Sequence, residues 1–187
     1  LENLNELSPL MLSSCVMLYI DEQIWTWKDL ILSNFSNQLN NYDINQELQK
    51  ILIEYISKIE SYDIKDKSTI NISFISKISM TITLLKNYLK NDKCSFIDLR
   101  PLVEFTLLWS FITHIHLDYR KQFENWWRNN FHHIPNDKSI TDWMYDIDYH
   151  QFVLWSDTIP AFNPLSHQGI PNNIFVHTAY TMALSHL

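Results

Sequence analysis

A single glycine, Gly169, is the feature of this 187-residue sequence that most constrains what it can form. Loops that cradle phosphates and turns that bind dinucleotides need several glycines, because their backbone approaches the ligand with positive φ angles. One glycine excludes both a P-loop and a Rossmann fingerprint. We therefore expect no complete nucleotide site, no catalytic residue and no resident cofactor in this chain.

The composition and the net charge limit the kinds of protein that this chain can be. Hydrophobic residues make up 46% of the chain and aromatic residues 14%, which is ample material for a packed core. The formal net charge of −7 argues against a nucleic-acid partner or an anionic membrane surface, because both attract clustered Lys and Arg. The most apolar stretch, residues 102–115, is interrupted by Glu104, Thr106 and Ser110. It therefore predicts a buried helix and not a membrane span.

Apolar residues recur at helical spacing through most of the chain. In the clearest case, residues 48–59, apolar side chains step by three and four residues and charged ones occupy the other face. Other helices are predicted around residues 24–35, 74–89, 98–113 and 118–127. The third of these is apolar on nearly every side, as a central helix would be. Asp98 and Asp118 are the expected N-caps of the last two. In the last helix the charged residues are expected to face water: Arg120, Lys121, Glu124 and Arg128.

Beyond residue 135 the apolar period changes from helical to alternating. Residues 143–147 alternate, and a second apolar run at residues 152–155 follows within hairpin distance, so a β-hairpin is predicted. An apolar run at residues 15–20 fits a buried strand. The chain thus has a strand first, then a helical array and then a hairpin. This order predicts a boundary between two modules. Because the sequence starts at Leu1 without Met and ends on apolar residues, we expect a piece of a longer chain.

Histidine is the one residue type that invites an active-site interpretation. The eight histidines are His114, His116, His132, His133, His150, His167, His177 and His186. They lack the HExxH or CxxC spacing of zinc sites, so histidines at helix ends are favoured over metal ligands.

Three other groups have a plain structural interpretation. Asp142, Asp146 and Asp148 on one strand face would suit a divalent ion, but a solvated hairpin face is favoured. Cys15 and Cys94 lie in apolar runs and predict reduced core thiols, not nucleophiles or a disulfide. The seven tryptophans are not accompanied by a cluster of basic residues, and they predict core and interface packing, not base stacking.

Six short motifs run in order over nearly the whole chain. The first is S-P-L-M-L-S-S-C-V-M-L-Y at residues 8–19. The others are W-K-D-L at 27–30, F-T-L-L-W-S at 105–110, D-Y-R-K-Q-F-E-N-W at 118–126, D-W-M-Y-D with W-S-D and P-A-F between 142 and 162, and I-F-V-H-T-A-Y-T-M at 174–182. Together they resemble the dynein heavy chain, the AAA+ motor of microtubules, with its S-P-A-T-(V/I)-S-R-C-G-M-V-Y, F-x-L-V-W-S and W-S-D-K-V-P-E-F.

The resemblance implies a mainly α fold: a helical AAA+ lid, or small subdomain, flanked by a short N-terminal strand and a C-terminal β-hairpin. Residues 1–20 would end the large subdomain of the second AAA+ module, residues 21–135 would form its lid, and residues 136–187 would hold the hairpin and the entry into the third module. In such rings the lid packs between neighbouring large subdomains and carries nucleotide-dependent rotation. The implied function is a non-catalytic lid or linker that couples ATP-driven rearrangements between modules for movement on microtubules.

The implied partners are the neighbouring AAA+ modules of the same chain. Dynein subunits and microtubules would be reached through the parent motor, which binds ATP or ADP elsewhere. The implied location is the cytoplasm and cytoskeleton, including the axoneme of a cilium.

This sequence departs from the family's motifs at positions that the resemblance associates with nucleotide binding and hydrolysis. Ser14 stands where the family has Arg, at a position that the resemblance associates with completing the first module's nucleotide site in trans. Loss of such an arginine removes charge stabilisation of phosphoryl transfer, so a weakly hydrolysing heavy chain is one hypothesis. Val176, His177 and Thr178 would lie at the edge of the third module's adenine pocket, with His177 in place of the family's Pro.

Two other interpretations stay open. One is a free-standing helical module that binds a partner helix through its aromatic stripe. The other is a small histidine-dependent metalloenzyme. A free-standing module predicts a monomeric, cooperatively folding domain, whereas a lid fragment predicts exposed apolar surface that faces its neighbours.

Overall fold

A computed structural model describes residues 26–35, 42–62, 72–90 and 94–159. Within these ranges lie five α-helices and one hairpin: α1 Trp27–Phe35, α2 Tyr42–Glu60, α3 Phe74–Leu89, α4 Leu99–Ile112, α5 Leu117–Asn130, β1 Trp143–Asp146 and β2 Gln151–Leu154. Short 3-10 turns, Phe96–Asp98, Ile140–Asp142 and Trp155–Thr158, flank α4 and the hairpin. The mainly α fold with a C-terminal hairpin is therefore confirmed. The predicted strand at residues 15–20 lies outside the described residues.

The central helix is α4, in which every residue from Leu102 to Ile112 is buried. Two hydroxyls fit into this apolar setting because each donates to a carbonyl one turn earlier. Thr106 Oγ1 lies 2.9 Å from the Leu102 oxygen, and Ser110 Oγ lies 2.8 Å from the Thr106 oxygen. The hydroxyl donors are thus satisfied inside the helix that carries them. No helix within the described ranges is long and apolar enough to cross a membrane.

Helix α3 packs along α4 in the opposite direction. The Phe74 and Phe111 ring centroids, at the start of α3 and the end of α4, are 5.6 Å apart. Near the other end of α3, Tyr88 meets Phe105 at 5.9 Å. Both pairs are edge-to-face contacts, which suit the charge distribution of aromatic rings.

Aromatic side chains join α2 to α5. Tyr55 contacts Phe131 with centroids 5.1 Å apart, and Tyr62, just beyond α2, contacts Trp126 at 4.4 Å. The neighbouring Trp127 is completely buried. The predicted apolar stripe of α5 is therefore used for packing inside this chain.

One predicted helix cap is wrong, and the other is confirmed in position but makes no side-chain capping bond. The N-cap of α5 is His116, whose Nδ1 accepts the Asp118 backbone N–H at 3.4 Å, and Asp118 lies in the first turn of the helix. Asp98 occupies the N-cap position of α4 but makes no side-chain capping bond to that helix. Its carboxylate has other partners, described below.

The hairpin packs on the central helix. Strands β1 and β2 are antiparallel, with Trp143 opposite Leu154 and Asp146 opposite Gln151. Trp155, directly after β2, is buried with its ring 6.3 Å from that of Trp109 on α4. The predicted alternation is confirmed for β1, whose first and third residues are buried.

Candidate interface between the helices and the hairpin

The predicted site residues Ser14, Val176, His177 and Thr178 lie outside the described residues, so their roles stay predictions. In the part of the chain that the structure describes, no group of three or more His, Cys, Asp or Glu side chains is placed to hold a metal ion. Histidines at positions 114, 116, 132 and 133 lie at helix ends, as expected, whereas His150 lies in the hairpin turn.

The prediction that three aspartates share a strand face is wrong. Asp142 belongs to the 3-10 turn before β1, and Asp148 lies beyond the last residue of that strand. The Asp146 carboxylate instead accepts the backbone N–H groups of Asp148 at 2.8 Å and Tyr149 at 3.3 Å. Asp146 therefore shapes the hairpin turn through its own backbone neighbours, as aspartates often do in turns.

The half-buried thiol of Cys94 is protonated at neutral pH. Burial, and then the negative charge of Asp98, raises its pKa to about 11. A thiol in this state is a poor nucleophile and a poor metal ligand. The prediction of a reduced, unreactive thiol agrees with this environment, and Cys15 lies outside the described residues.

The carboxylate of Asp98 joins the start of α4 to the hairpin. Its side chain has no exposed surface. One oxygen accepts the backbone N–H and the hydroxyl of Ser95, each at 2.7 Å. The other accepts the Tyr145 hydroxyl of β1 at 2.5 Å and lies 2.8 Å from Nδ1 of His150. Two hairpin residues therefore bind one buried carboxylate on the helical array.

The ionisation states at this contact follow from burial and hydrogen bonding. Burial would raise the pKa of Asp98, but the hydrogen bonds from Tyr145, Ser95 and His150 together outweigh it, and the pKa lies below its ordinary value. Burial raises the pKa of Tyr145, and the bond to the Asp98 carboxylate raises it further. At neutral pH the contact is an ionised carboxylate that accepts from a protonated phenol.

His150 reaches Asp98 from a strained backbone conformation. Its φ angle is 53°, in the left-handed region that a residue with a Cβ avoids. Such a conformation costs on the order of 1 kcal/mol. The contact with the buried carboxylate offsets this cost, so the hairpin turn is shaped in part by its attachment to α4.

A second buried carboxylate, Glu104, holds the segment after α5. Its side chain has no exposed surface. It accepts the backbone N–H groups of His133 at 3.1 Å and of Ile134 at 3.5 Å, and it lies 2.7 Å from Nδ1 of His133. The chain that leaves α5 is thereby bound to the middle of α4.

Arg128 and Glu124, predicted to face water, instead hold the loop before the hairpin. The Arg128 guanidinium donates to Glu124 at 2.8 Å, to the carbonyl of Pro135 at 3.0 Å and to the carbonyl of Lys138. Glu124 also accepts the backbone N–H of Ile140 at 3.0 Å. The water-facing prediction was wrong for this pair because the loop folds back over α5. The periodicity of the helix alone gives no sign of that.

Comparison with known proteins identifies the family. The family described as the dynein heavy chain AAA lid domain matches residues 45–157, which is more than half of the chain. The chain belongs to the dynein heavy chain family. The matched residues run from α2 through the hairpin, so the anchors Asp98, Glu104 and Arg128 all lie in the dynein lid region.

The relatives are far longer than this chain. The ciliary dynein beta chain of Tripneustes gratilla is 24% identical over 195 residues, which is 97% of this chain and 4% of that protein. Dynein heavy chain-like protein 2 of Plasmodium falciparum is 22% identical over 81% of this chain and 3% of its own length. Human dynein axonemal heavy chain 17 is 36% identical over 31% of this chain and 1% of its own length. No solved structure matches the chain.

The described part of this dynein segment contains three charged connections between the helices and the residues that follow them. Asp98, Glu104 and the Arg128–Glu124 pair attach successive pieces of residues 131–150 to the helices. Each attachment uses a buried or half-buried charge, and breaking one leaves a poorly solvated charge behind. The arrangement therefore attaches the hairpin and the loop before it to the helices.

Proposed function

We propose that this segment is a non-catalytic coupling element of a dynein motor, which passes ATP-driven rearrangements from one AAA+ module to the next. The observation that carries the proposal is the buried Asp98, bonded both to the turn before α4 and to the hairpin. The lid match includes the hairpin, and the sequence predicts that residues 136–187 lead into the third module, so Asp98 holds the part of the lid that precedes that module. An attachment of this kind moves as a rigid body, which is how domain rotations are transmitted.

The parent motor supplies the rest of the proposed activity. ATP or ADP would bind in the modules that flank this segment, and dynein subunits and microtubules would be reached through the full heavy chain. The names of two relatives, a ciliary dynein beta chain and an axonemal heavy chain, favour the axoneme of a cilium as the location. Relatives that extend far beyond the matched region favour a lid over a free-standing interaction module.

Tyr145→Phe in the full-length heavy chain tests the coupling role. The variant keeps the ring and removes the hydroxyl that Asp98 accepts. We expect basal ATP hydrolysis to persist while the microtubule gliding distance per ATP consumed falls, because the Asp98 contact yields under load. Tyr149→Phe is the matched control, since that ring is 72% exposed and lies in the same hairpin. Equal gliding distances per ATP in both variants and the parent would contradict the proposal.

Ser14 carries a second, separable part of the proposal. If it replaces an arginine that completes the preceding module's nucleotide site, Ser14→Arg in the full-length motor raises the ATPase rate, because an arginine stabilises the charge of phosphoryl transfer. An unchanged rate removes the hypothesis of weakened hydrolysis without affecting the coupling role. Val176, His177 and Thr178 are proposed as the edge of the next adenine pocket, so His177→Pro is expected to change nucleotide affinity there.

A further inference from the structure

The hairpin has an inner and an outer strand. β1 is the inner strand, because it lies against α4 and its residues Trp143 and Tyr145 are buried. In β2, Gln151 is exposed and residues 152–154 are half-buried, so this strand lies further from the core. One edge of β2 bonds to β1. At its other edge, the backbone of β2 makes no hydrogen bond with any residue that the structure describes.

An open strand edge is a binding site for a further strand. Alternate residues of a paired strand direct their N–H and C=O groups away from the partner, so β2 presents about half of its backbone donors and acceptors at the open edge. Proteins usually block such an edge with a charge, a proline or a bulge. The sequence of β2, Q-F-V-L, contains no charge and no proline, and its pairing with β1 runs without a bulge. The edge therefore fits an extended segment that adds to the hairpin through its backbone.

The charge around the hairpin selects a segment without acidic side chains. Residues 136–159 contain one lysine, Lys138, against the aspartates Asp137, Asp142, Asp146, Asp148 and Asp157. The later part of the chain, residues 158–187, contains no Asp, Glu, Lys or Arg. The predicted strand at residues 15–20 is instead followed directly by Asp21 and Glu22, which these aspartates would repel.

We propose that residues 174–178, which lie outside the described residues, pair with the open edge of β2 as a third strand. Their sequence, I-F-V-H-T, is rich in the β-branched and aromatic residues that favour strands. Consecutive strands of a chain usually lie side by side. The connection contains Pro160, Pro164 and Pro171, which oppose the crossover helix that a parallel pairing usually needs, so the added strand is antiparallel. Residues 159–173 can span about 50 Å when extended, far more than the ~5 Å between neighbouring strands.

The third strand would connect the predicted adenine pocket to the lid. Val176, His177 and Thr178 are the residues proposed at the edge of that pocket. Pairing would join them through β2 and β1 to Tyr145, whose hydroxyl donates to Asp98 on α4. This consequence rests on the proposed function, whereas the pairing itself rests on the open edge of β2 and on the charge around the hairpin.

A disulfide scan in the full-length heavy chain tests the pairing. Val153→Cys is combined in turn with Ile174→Cys, Phe175→Cys, Val176→Cys, His177→Cys or Thr178→Cys, and disulfides formed under mild oxidation are identified by mass spectrometry. We expect disulfides either at residues 175 and 177 or at residues 174, 176 and 178, because alternate side chains of a strand lie on opposite faces. The positive control combines Val153→Cys with Met144→Cys, since these two residues lie directly opposite each other in the hairpin.

Three results of the scan would overturn the proposal. The first is no disulfide at residues 174–178 while the control pair forms one. The second is equal disulfide formation at all five positions, which random collision of an unpaired segment would give. The third is a disulfide from position 153 to Cys15, or to a second copy of the heavy chain, because another strand would then occupy the edge.

Hydrogen exchange tests the same pairing without new cysteines. Val176→Pro removes a backbone N–H from the middle of the segment, and proline is poorly tolerated inside a sheet. In the full-length heavy chain we expect the backbone amides of residues 151–154 to exchange several times faster in this variant. Ser166→Pro, in the connection, is the control and is expected to leave these amides unchanged. Unchanged exchange in Val176→Pro, or equal acceleration in both variants, overturns the proposal. The gliding distance of Tyr145→Phe tests the coupling role separately, so the two failures are distinguishable.

Discussion

At the scale of single residues, Asp98 shows how a carboxylate is kept ionised without contact with water. Hydrogen bonds from Ser95, Tyr145 and His150 replace its hydration. The sequence predicts that Asp98 caps α4, since an aspartate before an apolar helix usually caps it. The actual partner Tyr145 is 47 residues further along the chain. Local pattern carries no information about such a contact.

Removal of the Tyr145 hydroxyl is expected to destabilise the fold. Tyr145→Phe in the 187-residue chain should lower the free energy of unfolding by about 1.5–3 kcal/mol, the range for a hydrogen bond to a charged group. Urea denaturation measures the change. Tyr149→Phe is expected to stay within about 0.5 kcal/mol of the parent, as is usual for exposed positions. A loss of equal size in both variants would show that the Asp98 contact contributes nothing specific.

The lowered pKa of Asp98 makes a pH-dependent contribution to stability. Because the folded pKa lies below the ordinary value, the contribution is complete above about pH 4 and is lost as the pH falls through the folded pKa. We expect Asp98→Asn to be less stable at pH 7 and to lose less further stability between pH 5 and pH 3 than the parent does. Asp29 and Glu54 also have lowered pKa values and keep some acid sensitivity in the variant. The urea midpoints of Asp98→Asn and of the parent are measured against pH. If the two midpoints fall in parallel as the pH is lowered, Asp98 has no role in acid unfolding.

At the scale of secondary-structure elements, the sequence predicts helices and hairpin well and their connections poorly. The buried helix α4, the amphipathic α2 and the alternation of β1 depend on the period of apolar residues, which is a local property. The contacts of Glu104 and Arg128 are made with loop residues that fold back onto the helices, and the apolar period does not predict where a loop lies. His133 is 29 residues from Glu104, and the Lys138 carbonyl is 10 residues from Arg128. A charged residue inside an apolar helix, such as Glu104, is a signal from which a buried partner could have been predicted.

Arg128→Lys is expected to loosen the loop before the hairpin. A lysine ammonium cannot reach Glu124 and two loop carbonyls at once in the planar geometry that the guanidinium provides. Hydrogen exchange should accelerate at residues 136–140, with a stability loss of about 1–2 kcal/mol. Arg120→Lys is the control, since Arg120 makes a single long bond to the Ile115 carbonyl at 3.4 Å. Equal hydrogen-exchange rates at residues 136–140 in the two variants would show that Arg128 does not hold the loop.

At the scale of the whole molecule, the proposed coupling role requires the helices and the hairpin to behave as one body. The dynein lid match runs through α2, α5 and the hairpin without a break. Buried charges attach the hairpin and the loop before it to α4 and α5. Such attachments favour rigid-body movement over internal bending when a neighbouring module changes its nucleotide state.

Pulsed electron paramagnetic resonance on the full-length heavy chain tests this claim most directly. Spin labels at Lys50 on α2 and Tyr149 in the hairpin turn, both more than 70% exposed, report the distance across the Asp98 contact. If the helices and the hairpin move as one body, we expect one distance distribution that is the same with an ATP analogue, with ADP and without nucleotide, and that broadens in Tyr145→Phe. A distance that changes with nucleotide state in the chain without Tyr145→Phe would show that the helices and the hairpin do not move as one body.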